Sequence, residues 1–229
     1  MTPVHVTKRD GAKELLDINK FHRVASYACD GLSGVSVSDL EIKTQIQFYN
    51  NMKTEDIQET LIKAAADLIS LSYYKTFGVP VIITRCSNNY GYFQNVEKLV
   101  PLFITNLLAG KKVPLYGSGK NIREWIHVSD HVRGIAHAIK YGEFGEVYNI
   151  AGDTELTNLD ITRLLLKYFK LDETYISYVS DRKGHDFRYA LNSSKIQKIG
   201  FKNKVEFKQG IESTILWYKN NKDWYTNAS

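Results

Sequence analysis

The chain has 229 residues, of which 43% are hydrophobic and 24% charged, and its formal net charge is +5. These proportions are ordinary for a globular protein and allow one large domain or two small ones. No apolar run approaches the roughly 20 residues that a membrane-spanning helix needs, and the N-terminal residues lack the basic and apolar segments of a signal peptide. We therefore expect a cytoplasmic protein that has no membrane partner.

The basic residues and the cysteines exclude two further classes of protein. Lysine and arginine are dispersed along the chain, whereas nucleic-acid binding favours a basic stripe with stacking aromatics, so we expect no nucleic-acid partner. The two cysteines, Cys29 and Cys86, lie far apart and belong to no CxxC or HxxxH pair. The sequence therefore predicts neither a disulfide framework nor a metal site.

The first 78 residues predict a hairpin followed by helices. Residues 4–7 alternate between apolar and polar side chains, which is typical of a strand, and residues 14–16 supply the second strand of the hairpin. Between them stands Asp10-Gly11, a dipeptide typical of a tight turn. Beyond the hairpin, apolar residues recur three and four positions apart, which is typical of amphipathic helices. The predicted helices begin near Ile18, at Ser38 and at Thr54, and the third ends at Gly78.

The pattern of predicted elements changes after Gly78, because strands there alternate with helices. Residues 79–84 form an apolar run rich in β-branched side chains, typical of a strand buried on both faces. This alternation predicts an α/β region, and since no linker separates it from the first part, the boundary falls inside a helix. The other predicted elements are a helix at 96–108, a strand at 123–128, a helix from Ser129 to Tyr141, a strand at 147–150, and helices at 159–168 and 210–220.

Several runs in the first part resemble those of a known nucleotide-binding domain. This resemblance covers residues 1–70 and implies that ATP or dATP binds there. The runs Val6-Thr7-Lys8-Arg9-Asp10-Gly11, Ile18-Asn19-Lys20-Phe21-His22-Arg23-Val24 and Glu59-Thr60-Leu61-Ile62-Lys63-Ala64 resemble the ATP-cone of the large subunit of class I ribonucleotide reductase. The nucleotide contacts that the resemblance implies are Lys8, Glu14, Leu15, Leu16, Asp17, Ile18, Asn19, Lys20 and Thr54.

The residue types in this part suit a nucleotide. Lys8, Arg9 and Lys20 carry positive charge for phosphates, and Thr54 offers a hydroxyl and backbone N–H groups at a helix start. The resembled domains close with a further amphipathic helix that carries a phosphate-binding lysine, but here the chain changes character after Ser70. We therefore expect ATP or dATP to bind weakly, if it binds at all.

A second series of runs resembles a different family over residues 63–225. The runs Ser87-Asn88-Asn89-Tyr90-Gly91, Pro114-Leu115-Tyr116-Gly117, Ile122-Arg123-Glu124-Trp125 and Asp181-Arg182-Lys183-Gly184-His185-Asp186 resemble the C-terminal half of dTDP-glucose 4,6-dehydratase, of the extended short-chain dehydrogenase/reductase family. We thus predict a mixed α+β and α/β fold. Its parts are an ATP-cone-like domain of hairpin and helices at 1–70, and a partial Rossmann-type region with the nucleotide-sugar-binding domain at 71–229.

The second resemblance also implies the ligand contacts. A nucleoside diphosphate needs paired guanidinium groups, and Arg123 and Arg182 are the candidates. Taken singly, each asparagine is typical of a turn and each arginine of the surface, and only their order along the chain favours a site. NAD contacts are implied at Lys63 and Asn89. The implied substrate contacts are Asn88, Lys98, Leu99, Pro114, Leu115, Tyr116, Arg123, Asn149, Asp181, Arg182, Lys183, Gly184 and His185.

The catalytic machinery of that family is incomplete in this sequence. The family transfers protons with a Tyr-x-x-x-Lys pair on one helix, and Lys63 fits the lysine whereas Glu59 stands at the tyrosine position. No strand followed by a Gly-rich phosphate loop precedes Lys63. We therefore expect a fragment that binds a nucleotide or dTDP-sugar, with no catalytic residue, no bound NAD and no turnover. The alternative is a degenerate NAD-dependent dTDP-glucose 4,6-dehydratase or a sugar epimerase.

The join between the two parts predicts self-association. Residues 63–70 fit both families at once, so one helix ends the first part and begins the second. The strand that follows would lose most of the neighbours that a parallel sheet gives it. Because unpaired strand edges pair readily with other chains, we expect a homo-oligomer or aggregation through exposed edges.

Overall fold

The structure, a computed structural model, describes residues 5–8, 10–17, 19–20, 22–23, 26, 52–181 and 186–226. In the helix that ends at Phe77 it describes side chains from Ala65 onward. The chain divides into two compact units, residues 1–83 with 143–146, and residues 84–142 with 147–229. Predictions that lie outside the described residues concern Arg9, Ile18, the helix at Ser38, Cys29, Arg182, Lys183, Gly184, His185 and the side chains of Thr54, Glu59 and Lys63.

The first unit begins with the predicted hairpin, which the structure confirms. Strand β1 (His5–Thr7) pairs antiparallel with β2 (Lys13–Leu15), and the turn closes with a bond of 2.8 Å from the Lys8 N–H to the Ala12 carbonyl. Gly11 has a φ of 84°, which glycine adopts without strain. A short strand β3 (Met52–Lys53) adds parallel to β1. Sequence analysis missed it because two residues carry no periodic pattern.

A single helix, α1 (Thr54–Phe77), follows β3 and is 24 residues long. It begins at the predicted residue and ends at the predicted glycine, since Gly78 has a φ of 67° and its N–H donates to the Tyr74 carbonyl at 3.0 Å. The predicted division between residues 70 and 71 falls within this uninterrupted helix. The compact units instead divide at Ile83 and Thr84.

The second unit alternates strands and helices, as the α/β pattern predicted. The helix from Asn158 to Phe169 begins with a capping box. Thr157 Oγ1 accepts from the Asp160 N–H at 3.0 Å, and the Asp160 carboxylate accepts from the Thr157 N–H at 3.1 Å. The strands are β4 (Ile83–Cys86), β5 (Asn88–Tyr90), β6 (Val113–Tyr116), β7 (Ile122–His127), β8 (Val147–Ile150), β9 (Thr154–Thr157), β10 (Ile176–Val179) and β11 (Arg188–Tyr189). The helices are α2 (Leu99–Leu108), α3 (Val128–Tyr141), α4 (Asn158–Phe169), α5 (Ser194–Lys198), α6 (Phe207–Asn220) and α7 (Lys222–Thr226).

Strand β7 lies at the centre of the largest sheet. On one edge it pairs parallel with β5, where Asn88 lies opposite Trp125, and parallel with β11; on the other edge it pairs antiparallel with β9. Strand β10 pairs parallel with β6, and β4 pairs with β8. The main core lies where α2, α4 and α6 pack together. It is formed by fully buried side chains from all three helices, including Ile104, Ile161, Leu165, Ile211 and Ile215.

Three local predictions in this unit were wrong. The predicted strand at 79–84 begins only at Ile83, and Val79 is 40% exposed, because within the described residues β4 has a single neighbouring strand. The helix predicted from residue 96 begins at Leu99, because Lys98 is its N-cap and has an extended backbone, with φ −78° and ψ 152°. The cap of α3 is His127, whose ring nitrogen accepts from the Ser129 N–H at 3.3 Å, so Ser129 lies inside the first turn.

Candidate functional site

The floor of the main cavity is formed by two parallel strands. Side chains alternate across a strand, so Arg123 and Trp125 of β7 lie on one face, and Asn88 of β5 is registered opposite Trp125. Trp125 is 5% exposed, and its ring lies edge-on to Tyr90, with a centroid distance of 6.4 Å. Packing therefore holds the floor side chains in one orientation.

The walls of the cavity come from three further elements of the same unit. Strand β6 contributes three consecutive residues, α2 contributes its first turn, and α4 contributes its first residue. The enclosed volume is about 500 Å³, which lies in the range of small-molecule sites. The lining residues are Asn88, Asn89, Gln94, Glu97, Lys98, Leu99, Val100, Leu102, Phe103, Pro114, Leu115, Tyr116, Arg123, Trp125 and Asn158.

Eight residues that the sequence marked as ligand contacts line this one cavity. They come from four stretches of the chain that are separated in sequence, and the fold brings these stretches together. Seven were implied as substrate contacts and one as an NAD contact. They are Asn88, Asn89, Lys98, Leu99, Pro114, Leu115, Tyr116 and Arg123.

Asn149 does not join this group. It lies on β8, outside the lining of the cavity, and its side-chain nitrogen donates to the Asn192 carbonyl at 3.0 Å. Its side-chain oxygen is buried without a hydrogen-bond partner among the described residues. The structure thus gives Asn149 a bond that fixes the segment after β11, and its implied substrate contact stays a prediction.

The run at 181–185 has one described residue, Asp181, which is exposed. The residues on both sides of the run are bonded to strands that line the cavity. The Gly117 N–H, directly after β6, donates to the Val179 carbonyl at 2.9 Å, and the Arg123 guanidinium donates to the Asp186 carbonyl at 2.9 Å. Both flanks of the run therefore lie beside the cavity walls.

Charge in the cavity is mainly positive. Lys98 is exposed at its mouth, and Arg123 is half-buried on its floor, while Glu97 supplies one negative charge. The Arg123 guanidinium also donates to its neighbour's Ile122 carbonyl at 2.7 Å. Bonds to two backbone carbonyls help to fix the direction of this group.

Seven lining residues were not predicted, and three of them have a buried polar atom without a hydrogen-bond partner among the described residues. They are Trp125 through Nε1, Gln94 through Oε1 and Asn158 through Oδ1, and the predicted Asn89 adds its Oδ1. Buried polar groups are normally paired. The one sequence signal was for Trp125, which stands two positions after Arg123 in a strand and so shares its face.

Two buried tyrosines attach α6 to this region. The Tyr218 hydroxyl donates to the Gln94 carbonyl at 2.7 Å, and the Tyr90 hydroxyl donates to the Phe207 carbonyl at 3.3 Å. Burial raises the pKa of Tyr218 to about 12 and raises the pKa of Tyr90 as well. Both hydroxyls therefore remain protonated donors at neutral pH, and they hold Gln94 and the floor strand in place.

The first unit brings three of the implied ATP contacts together. Glu14 forms ion pairs with Lys8 at 2.7 Å and with Lys20 at 3.6 Å. The hydrogen bond to Glu14 raises the pKa of Lys8, and the same bond lowers the pKa of Glu14. Asp17 pairs with Arg23 at 3.9 Å, and Leu15 is 57% exposed. The implied phosphate ligands thus already contact a carboxylate.

The part of the chain that the structure describes contains no group of three or more histidine, cysteine, aspartate or glutamate side chains that could hold a metal ion. None of its helices combines the length and the apolar character that a membrane span requires.

Comparison with known proteins separates the two parts of the chain. The sequence model of the GDP-mannose 4,6 dehydratase family matches residues 61–214, and that of the ATP cone domain matches residues 4–77. A dTDP-glucose 4,6-dehydratase of Actinoplanes sp. is 52% identical over 165 residues, which are 72% of this chain and 52% of the relative. The chain spans about half the length of the curated relatives it matches.

Solved structures of dTDP-glucose 4,6-dehydratases are also similar to this chain. The dTDP-glucose 4,6-dehydratase DesIV of Streptomyces venezuelae, solved with NAD bound, has a TM-score of 0.72 and 46% identity, covering 74% of this chain and 53% of its own. The dTDP-glucose 4,6-dehydratase of Bacillus anthracis, also in complex with NAD, has a TM-score of 0.71 and 42% identity over 81% of this chain and 58% of its own. The predicted mixed fold with a Rossmann-like region is thereby confirmed.

Proposed function

Because this chain belongs to the GDP-mannose 4,6-dehydratase family, we propose that its second unit binds a nucleotide sugar of the dTDP-hexose class and does not turn it over. The observation that carries this proposal is the convergence of eight implied contacts in one cavity of about 500 Å³. A shared cavity is the physical requirement for residues from four stretches to bind one ligand. The relatives most similar in sequence are named as dTDP-glucose 4,6-dehydratases, which supports the choice of ligand class.

The chemistry of the walls suits the parts of such a ligand. A diphosphate carries negative charge, for which Lys98 and Arg123 supply cations, with Arg182 as the second guanidinium. The apolar side chains of Leu99 and Pro114 and the aromatic ring of Tyr116 can cover a pyrimidine ring. The amide of Asn88 can both donate to and accept from a sugar hydroxyl or a base edge.

The absence of turnover follows from the residues that would handle protons and hydride. Glu59 stands where the family has its tyrosine, and a glutamate four residues before a lysine is the spacing of an ordinary helical salt bridge. NAD would supply the hydride chemistry in the relatives. Of the two implied NAD contacts, Asn89 donates to the Ser87 carbonyl at 3.3 Å and to Cys86 Sγ at 3.2 Å. Because no strand followed by a Gly-rich phosphate loop precedes Lys63, we expect no bound NAD.

The first unit adds a second nucleotide site to the proposal. Lys8 and Lys20 supply cations on one surface, and the sequence model of the ATP cone domain matches residues 4–77. Both lysines contact Glu14, so a triphosphate must compete with that carboxylate. We propose that ATP or dATP binds this unit weakly.

The proposal for the second unit is tested by titrating the full chain with dTDP and with dTDP-glucose in a calorimeter. Arg123→Ala and Arg182→Ala should each weaken binding roughly 10- to 150-fold, since a hydrogen bond to a charged group contributes about 1.5–3 kcal/mol. Arg182→Lys should weaken it too, because a point charge does not reproduce a planar bidentate contact.

The matched control is Arg163→Ala. Arg163 lies in the same unit and forms an ion pair with Glu173 at 2.7 Å, but it does not line the cavity. This variant should bind like the parent. The proposed site is wrong if the Arg123 and Arg182 variants behave like the Arg163 control, and the proposed ligand class is wrong if the parent binds neither compound.

A further inference from the structure

The indole N–H of Trp125 is a buried hydrogen-bond donor whose acceptor the described residues do not supply. Trp125 is 5% exposed, and its indole Nε1 has no hydrogen-bond partner among the described residues. An indole N–H can only donate, and leaving a donor unpaired in the interior costs free energy. The position of Trp125 on the cavity floor suggests where the missing acceptor comes from.

The neighbours of Trp125 are residues already assigned to the ligand. Arg123 lies on the same face of β7, two residues away, and Asn88 is registered directly opposite on β5. A ligand that contacts both of these side chains lies beside Trp125, which lines the same cavity. The ring is held by its edge-on contact with Tyr90, so the donor is already oriented before the ligand arrives.

We propose that Trp125 is a ligand-binding residue, whose Nε1–H donates to an oxygen of the nucleotide sugar beside Arg123. This inference rests on the proposed function and adds a residue that neither resemblance implied. The acceptor is an oxygen of the diphosphate or a hydroxyl of the hexose, since both present the lone pairs that a neutral donor requires. The amide oxygens of Gln94, Asn89 and Asn158 supply acceptors for ligand hydroxyls in the same cavity.

A structural role for the same N–H makes a different prediction. Trp125 also lines a smaller neighbouring cavity of about 190 Å³, together with His127 and Asp130. A donor that served that cavity alone would contribute to stability and not to ligand affinity. The two roles are therefore separated by measuring both quantities on one variant.

The variant is Trp125→Phe, which keeps an aromatic ring on the floor and removes the N–H. In the absence of ligand, its urea midpoint should fall only by the packing that the smaller ring loses in the core, because no hydrogen bond within the protein is lost. Its affinity for the ligand should fall about tenfold, the effect of one hydrogen bond. Trp224→Phe, a tryptophan outside the cavity lining, is the matched control and should bind like the parent.

Two titrants identify the acceptor. If the N–H meets a phosphate oxygen, Trp125→Phe weakens dTDP and dTDP-glucose equally; if it meets a hexose hydroxyl, only dTDP-glucose is weakened. Either result supports the proposal. Affinities equal to those of the parent for both titrants overturn it, with or without a loss of stability. A parent that binds neither titrant contradicts the proposed function and this inference together.

A second measurement uses the parent protein, so it does not depend on how the variant folds. The chain has three tryptophans, so ¹⁵N-tryptophan labelling gives three indole signals. Saturation with dTDP-glucose should move the Trp125 indole proton downfield, as a new hydrogen bond does, and should leave the Trp224 signal in place. An unchanged Trp125 signal at saturation overturns the proposal.

Discussion

At the scale of single residues, Glu14 determines what the first unit can bind. It contacts Lys8 at 2.7 Å and Lys20 at 3.6 Å, and all three side chains are partly or largely exposed. Exposed ion pairs of this kind are weak, because water and salt screen them. A phosphate can therefore displace Glu14, but it gains less than it would from lysines that had no carboxylate beside them.

The resulting prediction concerns Glu14→Gln. The parent should bind ATP more weakly than low-micromolar, and the variant should bind it a few-fold more tightly, since the competing charge has been removed. Titration calorimetry with ATP measures both affinities. Lys8→Gln and Lys20→Gln serve as opposite controls and should weaken binding. If Glu14→Gln weakens binding as well, Glu14 is a direct ATP contact, as the resemblance implied.

The ligand cavity shows how far individual residues could be predicted. The order of short motifs along the chain marked eight of its lining residues, because such motifs record which side chains meet one ligand. Gln94, Trp125 and Asn158 were missed, since each takes its place in the cavity from the packing of several elements. Asn158, for instance, reaches the wall only because the capping box at Thr157 begins α4 there.

At the scale of elements, α6 depends on two tyrosines. The Tyr218 hydroxyl bonds to the Gln94 carbonyl, and the Tyr90 hydroxyl bonds to the Phe207 carbonyl, so both ends of the contact region are fixed. Burial disfavours the phenolate, which is why both pKa values are raised in the folded protein. The link between α6 and the cavity is therefore sensitive to high pH.

The prediction at this scale is a loss of stability in alkali. The pKa of Tyr218 is about 12 in the folded protein and about 10 in the unfolded chain, so between these values the unfolded state binds fewer protons. The free energy of unfolding should then fall as pH rises from 10 to 12, by roughly 1 kcal/mol or less per pH unit for this group. Urea denaturation at pH 9, 10.5 and 11.5 measures it.

Tyr218→Phe supplies the comparison. The variant should be less stable than the parent at pH 9, by about 1 kcal/mol for the lost hydrogen bond, and its stability should fall less steeply above pH 10. Tyr178→Phe, which changes a tyrosine that is 57% exposed, should follow the parent. Parallel curves for the parent and Tyr218→Phe would show that this hydroxyl is not protected by burial.

Elements differed in how well the sequence predicted them. Long helices with apolar residues three and four apart, such as α3, α4 and α6, were found with ends no more than three residues from the observed ones. Strands β5, β6, β9 and β10 were missed, because three or four residues carry too little periodicity and their pairing is set by partners distant in sequence. The three asparagine-rich residues of β5 even favoured a turn.

At the scale of the whole molecule, two families meet within one helix. Residues matched by the ATP cone domain end at 77 and those matched by the dehydratase family begin at 61, so the overlap lies entirely within α1. The periodicity of an amphipathic helix satisfies both domains at once, which explains why no linker marks the join. Self-association through the edge of β4 stays a prediction, and sedimentation of the purified chain would test it.

The last prediction concerns turnover. We expect the chain to give no 4-keto-6-deoxy product from dTDP-glucose, even with excess NAD. Losing a general base alone typically costs roughly 10²–10⁴ in rate, which could leave a detectable remnant. If the chain holds no NAD, as we propose, no group carries the hydride that the resembled reaction removes from the sugar and returns. The expected result is therefore a complete absence of product.

Glu59→Tyr makes this prediction sharper, because it recreates the Tyr-x-x-x-Lys pair with Lys63 on α1. If only the proton-transferring residue is missing, the variant regains activity; if the chain also holds no NAD, as we propose, the variant remains inactive. The product is measured by its absorbance in alkali, with the B. anthracis dTDP-glucose 4,6-dehydratase as the positive control. Product above a no-protein blank, in protein purified from a host lacking its own dehydratase, would show that the second unit keeps a working active site despite covering about half of its relatives' length.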